Sequence, residues 1–222
     1  MPAMFAINHA AAALLVKRRF PSVPLVALLV SVQAMELVWV ALNYLGVERT
    51  TTDPVVRFVG DIHLAYMPYS HSVATMVLAA LAAGVVLGIR GKKALGLAVA
   101  AGILSHLVLD LATHDGDIAL APFTGGGYGT WLYGRHPALA FAVEVGFGAL
   151  CWWIYRGGTT LLWVILGFNL ANLSLFFPAI PGPEALLAER PMWLTTVILL
   201  QIVVTLAAVG WAARPRREAV TA

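Results

Sequence analysis

Long apolar runs alternate with short polar or basic stretches along the whole chain. Most of these runs reach about 18 residues, which is enough for an α-helix to cross the hydrocarbon core of a bilayer. The pattern therefore predicts an all-α fold, a polytopic transmembrane helix bundle with about six to seven membrane segments. The segments cover residues 3–16, 25–45, 69–89, 94–113, 137–155, 159–177 and 192–213.

The first segment, residues 3–16, is shorter than a full span and carries Asn8 and His9. Free lipid would leave these polar groups without hydrogen-bond partners, so the segment is either a short tilted span or a re-entrant element held against protein. No internal repeat divides the chain, and we interpret residues 1–222 as a single integral membrane domain. Its metal-site region covers about 4–155, and C-terminal helices follow at about 159–213.

Composition agrees with a membrane protein. Hydrophobic residues make up 60% of the chain and charged residues 11%, with a mean hydropathy of +0.85, whereas soluble domains carry about 25% charged residues. The net charge of +3 does not indicate a nucleic-acid partner, because aromatic and basic residues do not interleave as they do in a nucleic-acid groove. The expected partner is the lipid bilayer. A single cysteine, Cys151, excludes an intramolecular disulfide framework.

Basic residues cluster at the ends of the apolar runs and predict the orientation. If every run crosses the membrane, all four clusters fall on one side, and the positive-inside rule makes that side cytoplasmic. The clusters are residues 17–19, 90–93, Arg156 and 214–217. This orientation predicts a bacterial-type inner-membrane protein with a cytoplasmic C-terminus. The loops at 46–68, 114–136 and 179–191 then face outward.

Side chains that can bind a metal ion concentrate at the end of the run 94–113. His106, Asp110 and His114 are spaced i, i+4 and i+8, so they share one face of a helix. Ionisable groups in a membrane segment are costly and are usually placed against something polar. Imidazole and carboxylate are ligands that Zn²⁺ and similar ions prefer. The pattern therefore predicts a site for a divalent metal, Zn²⁺ foremost, near the outer membrane surface.

The predicted topology brings further ionisable side chains to the same level. A metal site can ionise water for attack on an ester, amide or phosphoester, and Glu36 is the candidate general base. Glu144 is either a partner that orients a ligand histidine or a structural pair, and the intramembrane amides favour interhelical hydrogen bonds. The added metal-site candidates are His9, Glu36, Asp61, His63 and His71.

Several short motifs, taken together, resemble one protein family. They are Asn8-His9, Gln33-x-x-Glu36-x-x-Trp39, Gly46-Val47-Glu48-Arg49, Pro68-Tyr69-Ser70-His71-Ser72, Ser105-His106-x-x-Leu109-Asp110, Thr113-His114-Asp115-Gly116-Asp117, Gly129-Thr130-Trp131 and Glu144. Over about 4–155 the chain resembles the YdjM-type membrane-bound metal-dependent hydrolases, which are distantly similar to zinc-dependent phospholipase C and P1-type nucleases. The resemblance implies a helical site that binds one or more metals and cleaves phosphoesters.

The resemblance makes four residues the best ligand candidates: His9, His71, His106 and Asp110. Asp61, His63 and His114 are then further ligands or a second site, and Glu36 activates water. Two positions depart from the family pattern. Glu36 stands where many relatives carry aspartate, and Tyr66-Met67-Pro68 stands where many carry a histidine-arginine-glycine turn.

The leading functional hypothesis is an integral membrane metal-dependent hydrolase. Its substrate is expected to be a phospholipid or another amphiphilic ester, because a site at headgroup level meets those molecules first. The alternative is a metal-ion or proton transporter or channel. Four intramembrane polar residues keep this alternative open: Glu144, Asn169, Asn172 and Gln201. A haem-binding protein with two axial histidines and a non-catalytic metal site are two further alternatives. The sequence does not indicate an oligomeric state.

Overall fold

The computed structural model describes residues 5–125 and 127–213, and this part of the chain is mostly helical. Residues 214–217, a basic cluster used to predict the orientation, lie outside the described residues. The helices are α1 (Ala6–Arg19), α2 (Leu25–Val32), α3 (Ala34–Tyr44), α4 (Val73–Ile89), α5 (Lys93–Thr113), α6 (Leu132–Arg135), α7 (Pro137–Tyr155), α8 (Thr159–Ala171) and α9 (Pro191–Ala212).

Helix α1 lies at the centre of the bundle. Every residue from Ile7 to Leu14 is buried, and the helix packs against α2, α5, α7, α8 and α9. Its alanine-rich middle is small on all sides, which allows five neighbours to approach closely. The basic residues 17–19 occupy its last turn, where they interact favourably with the helix dipole. Asn8 and His9 are therefore held against protein rather than against lipid.

The predicted span 25–45 is two helices, because the chain breaks at Gln33 and α2 and α3 meet at 51°. The backbone N–H of Gln33 bonds to the carbonyl of Val30 in a tighter turn, 3.2 Å away. The Gln33 side chain leaves the helix and donates to the carbonyl of Ala6 at the start of α1, at 3.1 Å. A contact to a distant element therefore fixes the bend, and local propensity did not reveal it.

Three helices, α5, α7 and α9, are long and apolar enough to cross a membrane, and the bent α2–α3 pair makes a fourth if it counts as one span. Helices α4 and α8 are also apolar but shorter, at 17 and 13 residues. The predicted run 159–177 is longer than α8, because the chain turns into a 3₁₀-helix at Leu173–Leu175. The helical class is therefore confirmed, and the described residues contain three to four helical segments that could span a membrane, while the six to seven segments remain a prediction.

A small antiparallel sheet occupies the predicted loop 46–68. Strand β1 (Arg49–Thr52) pairs with β2 (Ile62–Tyr66). Successive side chains of a strand point to opposite faces, so Ile62 and Leu64 are buried while His63 between them is exposed. The described fold is thus helical with one two-stranded sheet, where the sequence predicted helices alone.

Candidate metal centre

Five ionisable side chains from separate parts of the chain meet in the interior. His9 comes from α1, Glu36 from the first turn of α3, His71 from the segment before α4, and His106 and Asp110 from successive turns of α5. All five are buried. Ionisable groups are rarely buried unless they are paired or coordinate an ion, so this group, called the cluster below, requires an explanation.

Asp110 stands at the middle of the cluster. Its Oδ1 lies 3.3 Å from Nε2 of His9, and its Oδ2 lies 3.1 Å from Nε2 of His106 and 3.7 Å from Nε2 of His71. Neither oxygen makes a hydrogen bond within residues 5–125 and 127–213. One carboxylate therefore faces three imidazole nitrogens.

Glu36 closes the cluster on the side of α3. Its Oε2 lies 3.2 Å from Nε2 of His71 and 3.9 Å from Nε2 of His106, and these two nitrogens lie 3.5 Å apart. Ligand atoms in a tetrahedral arrangement around Zn²⁺ stand about 3.3 Å from one another. Two of the three separations, 3.2 and 3.5 Å, are close to that spacing, and the third, 3.9 Å, is longer. Among the described residues, two sets of three have ligand atoms within 4.8 Å of one another: His9, His106 and Asp110, and Glu36, His71 and His106.

The two sets describe one centre, because both contain His106. The Nε2 atom of an imidazole has a single lone pair and binds one ion. Asp110 Oδ2 connects the sets in space, since it approaches both His106 and His71. The geometry thus fits a single metal ion with ligands drawn from these five residues.

A backbone carbonyl fixes the orientation of His106. Its Nδ1 lies 2.8 Å from the carbonyl oxygen of Val32, the last residue of α2 before the break. A carbonyl only accepts, so Nδ1 carries the proton and donates it, and the neutral ring presents its lone pair at Nε2. Gly102, one turn before His106 in α5, allows α5 to lie this close to α2. A Cβ at position 102 would stand 2.9 Å from Cβ of Ser31, which is too close for a side chain.

A buried glutamate orients His71 in the same way. The hydroxyl of Ser70 donates to Oε2 of Glu48 at 2.6 Å, so its oxygen accepts from Nδ1 of His71 at 2.7 Å. Glu48 also accepts from the backbone N–H groups of Tyr69 and Ser70. His71 therefore turns its Nε2 lone pair toward Glu36 and Asp110. Outer partners of this kind hold metal-binding imidazoles in position.

The charges of the cluster favour a cation. Lone pairs and carboxylate oxygens that face one another repel unless protons or a metal ion lie between them. In the described part of the chain, no lysine or arginine lies within 4 Å of the Glu36 or Asp110 carboxylate, and neither nitrogen of His9 makes a hydrogen bond. Two carboxylates and three neutral imidazoles balance a divalent ion. These residues could therefore hold a metal ion.

His114 borders the cluster without joining either set. Its ring stacks near His71 at a centroid separation of 6.2 Å, and its buried Nε2 makes no hydrogen bond with the described residues. Nδ1 lies 2.8 Å from Oδ1 of Asp117. Burial alone would lower the pKa of His114, but the Asp117 carboxylate, which also bonds to the ring, and the charge of Asp110 together raise that pKa above its ordinary value.

The structure does not bring the other two ligand candidates, Asp61 and His63, to the cluster. His63 points out of the β-sheet, with 47% of its side chain exposed, and its Nε2 lies 3.0 Å from Oδ1 of Asp53. Asp61 accepts backbone N–H groups of Arg57 and Phe58 through Oδ2 and so closes a turn. Strand alternation is the physical reason, since Ile62 takes the inward face.

Within the described part of the chain, Glu144 makes no hydrogen bond to a ligand histidine. It accepts from the amide of Asn8 and from the hydroxyl of Tyr133, and the same amide also donates to Oδ1 of Asn169 at 3.1 Å. Asn8 adjoins His9 in α1, so this network ties α1 to α7 and α8 at the level of the cluster. The amide of Gln201 bonds to Oδ1 of Asn172 between helices, at 2.9 Å.

Two supporting groups escaped the sequence reasoning about the site. The sequence pattern predicts Glu48 in an outward-facing loop, whereas the structure buries it and bonds it to Ser70, which in turn holds His71. The Val32 carbonyl carries no sequence signal, because any residue supplies the same acceptor. The nearest signal for Glu48 is that it belongs to the Gly46-Val47-Glu48-Arg49 motif of the resemblance.

We expect Glu48→Gln to weaken metal binding by about 10- to 100-fold, the usual effect of losing an outer partner of a ligand histidine. An amide can donate to Ser70, which removes the fixed direction of the His71 Nδ1 proton. Metal titration of the purified variant measures the change. Asp53→Asn is the matched control, because it alters another carboxylate–histidine contact on the exposed sheet. Equal affinity in Glu48→Gln and wild type would contradict the prediction.

Comparisons with protein-family models, curated proteins and solved structures found no match. The site's geometry is therefore the basis for a function. Imidazole suits zinc, iron, copper and nickel, and carboxylate widens the range to harder ions such as manganese. A buried centre with mixed ligands and an adjacent carboxylate has the groups that metal-assisted hydrolysis requires.

Proposed function

We propose that the protein is an integral membrane metal-dependent hydrolase that acts on a phospholipid or another amphiphilic ester or phosphoester. The observation that carries the proposal is the convergence of three Nε2 atoms and two carboxylates, with His71 and His106 turned inward by partners at Nδ1. Zn²⁺ is the proposed ion because its ligand chemistry matches this set. The resemblance to the YdjM-type hydrolases points to the same class.

The proposed location is the outer side of a cytoplasmic membrane. His71 precedes α4 and Asp110 lies near the end of α5, whereas the basic residues 90–93 join these helices at their other ends. From Lys93 to His106 the helix rises about 20 Å. In the proposed topology α4 and α8 also cross, the basic turns are cytoplasmic, and the cluster lies within reach of outer-leaflet headgroups.

The proposed reaction is the hydrolysis of an ester by water. When bound, a divalent ion lowers the pKa of water and polarises a phosphoryl or carbonyl oxygen. Glu36 accepts the proton of the attacking water, whose oxygen forms the new bond to phosphorus or carbon. The bond to the alcohol oxygen breaks, and the alcohol leaves with the proton that Glu36 accepted, which returns Glu36 to its carboxylate form. Glu36 suits this part because, of the five cluster residues, it is the one that also lines a cavity.

The structure favours hydrolysis over transport. A transporter or channel needs polar groups that continue through the membrane. Beyond His9, however, α1 continues as buried alanine and leucine from Ala10 to Leu14, and these pack against apolar Leu28 and Ile165. The rings of His9 and His106 stack at 4.1 Å, which leaves no room for a haem between them.

The test is ion-dependent release of product from lipid. Purified protein in bicelles of mixed phospholipids is loaded with Zn²⁺, and the products are followed by mass spectrometry. We expect turnover that a chelator abolishes and added Zn²⁺ restores. Zinc and proton flux into proteoliposomes is measured in parallel. Ion flux without lipid turnover would overturn the hydrolase proposal in favour of transport.

A further inference from the structure

A cavity of about 300 Å³ adjoins the cluster. It lies between the start of α1, the α2–α3 break, the outer half of α9, and the connection from α8 to α9. That connection contains the 3₁₀-helices Leu173–Leu175 and Pro183–Leu187. Most of the lining side chains are apolar, among them Phe5, Leu194 and Ile198. Apart from Glu36, the cluster residues do not contribute to its wall.

The polar side chains on the wall fall into two groups. Four of them satisfy one another, since Gln201 donates to Asn172 and Ser174 donates to Glu184, both at 2.9 Å. The other two, Gln33 and Glu36, stand at the end of the cavity nearest the cluster. Gln33 uses its amide N–H on Ala6, and its buried Oε1 makes no hydrogen bond within the described chain.

The cavity reaches the outside of the bundle at an apolar surface. Leu186 and Val197 line it and are 72% and 42% exposed. Val197 continues into an exposed apolar stripe on α9 with Leu200 and Val204. A stripe of this kind on a membrane helix faces lipid. In the proposed topology this opening lies at the depth of the outer leaflet.

We propose that the cavity holds an acyl chain of the lipid substrate while Glu36 and the bound metal meet its ester or phosphoester group. This inference rests on the proposed function and names the substrate class of the same site. A hydrocarbon chain gains free energy from apolar walls and leaves no polar group unsatisfied. Gln33 Oε1 is placed to accept a hydrogen bond from a hydroxyl or amine of the headgroup.

The wall argues for a lipid chain and against a peptide. Each peptide unit brings an N–H and a carbonyl that must find partners when buried. Four of the polar side chains on the wall are already paired with each other, so few groups on the described wall remain to serve the N–H and carbonyl groups of a peptide. A single polar end and a long apolar interior match the two parts of a lipid.

Photolabelling with an ether lysophospholipid that carries a diazirine on its chain tests the inference, because the ether keeps the chain attached to glycerol. We expect wild type to be labelled on cavity residues such as Leu194. Ile198→Trp fills the cavity, and Leu186→Trp narrows its exposed mouth. Each of these two substitutions should lower labelling about tenfold. Loss of the apolar contacts of two methylene groups of the chain weakens binding by about that factor. Leu200→Trp on the lipid-facing stripe is the matched control and should label like wild type.

Metal content and a second variant separate this inference from the proposed function. Ile198→Trp and Leu186→Trp should bind metal like wild type, which shows that they are folded. Asp110→Asn should lose metal and turnover but keep chain labelling, so failure of hydrolysis would leave the cavity result intact. Labelling confined to the stripe around Leu200, or unchanged in both cavity variants, would mean surface lipid only and would overturn the inference.

Discussion

His106→Ala and Asp110→Ala are each expected to remove the metal from the purified protein. Asp110 faces three imidazole nitrogens and His106 belongs to both ligand sets, so each substitution removes a ligand atom from the middle of the centre. Outer partners alone cost about 10- to 100-fold in affinity, and losing a direct ligand should exceed that range. Elemental analysis of wild type and both variants, purified without chelators, measures the effect.

The matched control for this pair is His63→Ala. His63 is also a histidine beside a carboxylate, but it lies on the exposed sheet, and its removal should leave the metal content unchanged. Thermal unfolding supplies a second readout, since saturation at 100 times Kd stabilises a folded protein by about 2.7 kcal/mol. Wild type and His63→Ala should gain this stability with Zn²⁺, whereas the cluster variants should not. Full metal content in either cluster variant would refute the assignment.

Glu36→Gln is expected to lower turnover by about 10²- to 10⁴-fold while metal is retained, because loss of a general base has an effect of that size. The amide keeps the shape of the side chain but cannot accept a proton from water at neutral pH. His9, His71, His106 and Asp110 remain to hold the ion. Steady-state hydrolysis in bicelles, combined with elemental analysis of the same preparation, separates the two effects.

Asp53→Asn is the matched control for Glu36. Asp53 is another carboxylate beside a histidine, but it contacts His63 on the exposed sheet, away from the cluster and the cavity. Its substitution should change turnover little. If Glu36→Gln lost its metal, Glu36 would be a ligand and not the base, and the general-base role would have to be given to another group.

Features set by local sequence were predictable. The run 94–113 predicts a helix, and the structure places it at Lys93–Thr113. A long apolar stretch without Pro forms a helix in a membrane because few other backbone conformations satisfy its N–H and carbonyl groups there. The i, i+4 spacing put His106 and Asp110 on one face, and their ligand atoms lie 3.1 Å apart. The sequence therefore predicted the helical class and the pair at the middle of the site.

Features set by contacts between distant residues were not predictable in detail. The break at Gln33 depends on the carbonyl of Ala6, 27 positions away, and the hairpin depends on β1 finding β2. His9, His71 and His114 were candidates from the predicted topology, but so were Asp61 and His63. The pairing of β1 with β2, and the inward side that Ile62 takes, keep Asp61 and His63 away from the cluster.

The sequence by itself determined that this chain folds as apolar helices with a few costly ionisable groups, because hydrophobic periodicity and composition act locally and are written in consecutive residues. The tertiary structure alone decided that α1 is central, that Glu48 and the Val32 carbonyl direct His71 and His106, and that a cavity lies beside Glu36. These features depend on the packing of elements far apart in sequence, where a change of one residue in register would move every ligand atom.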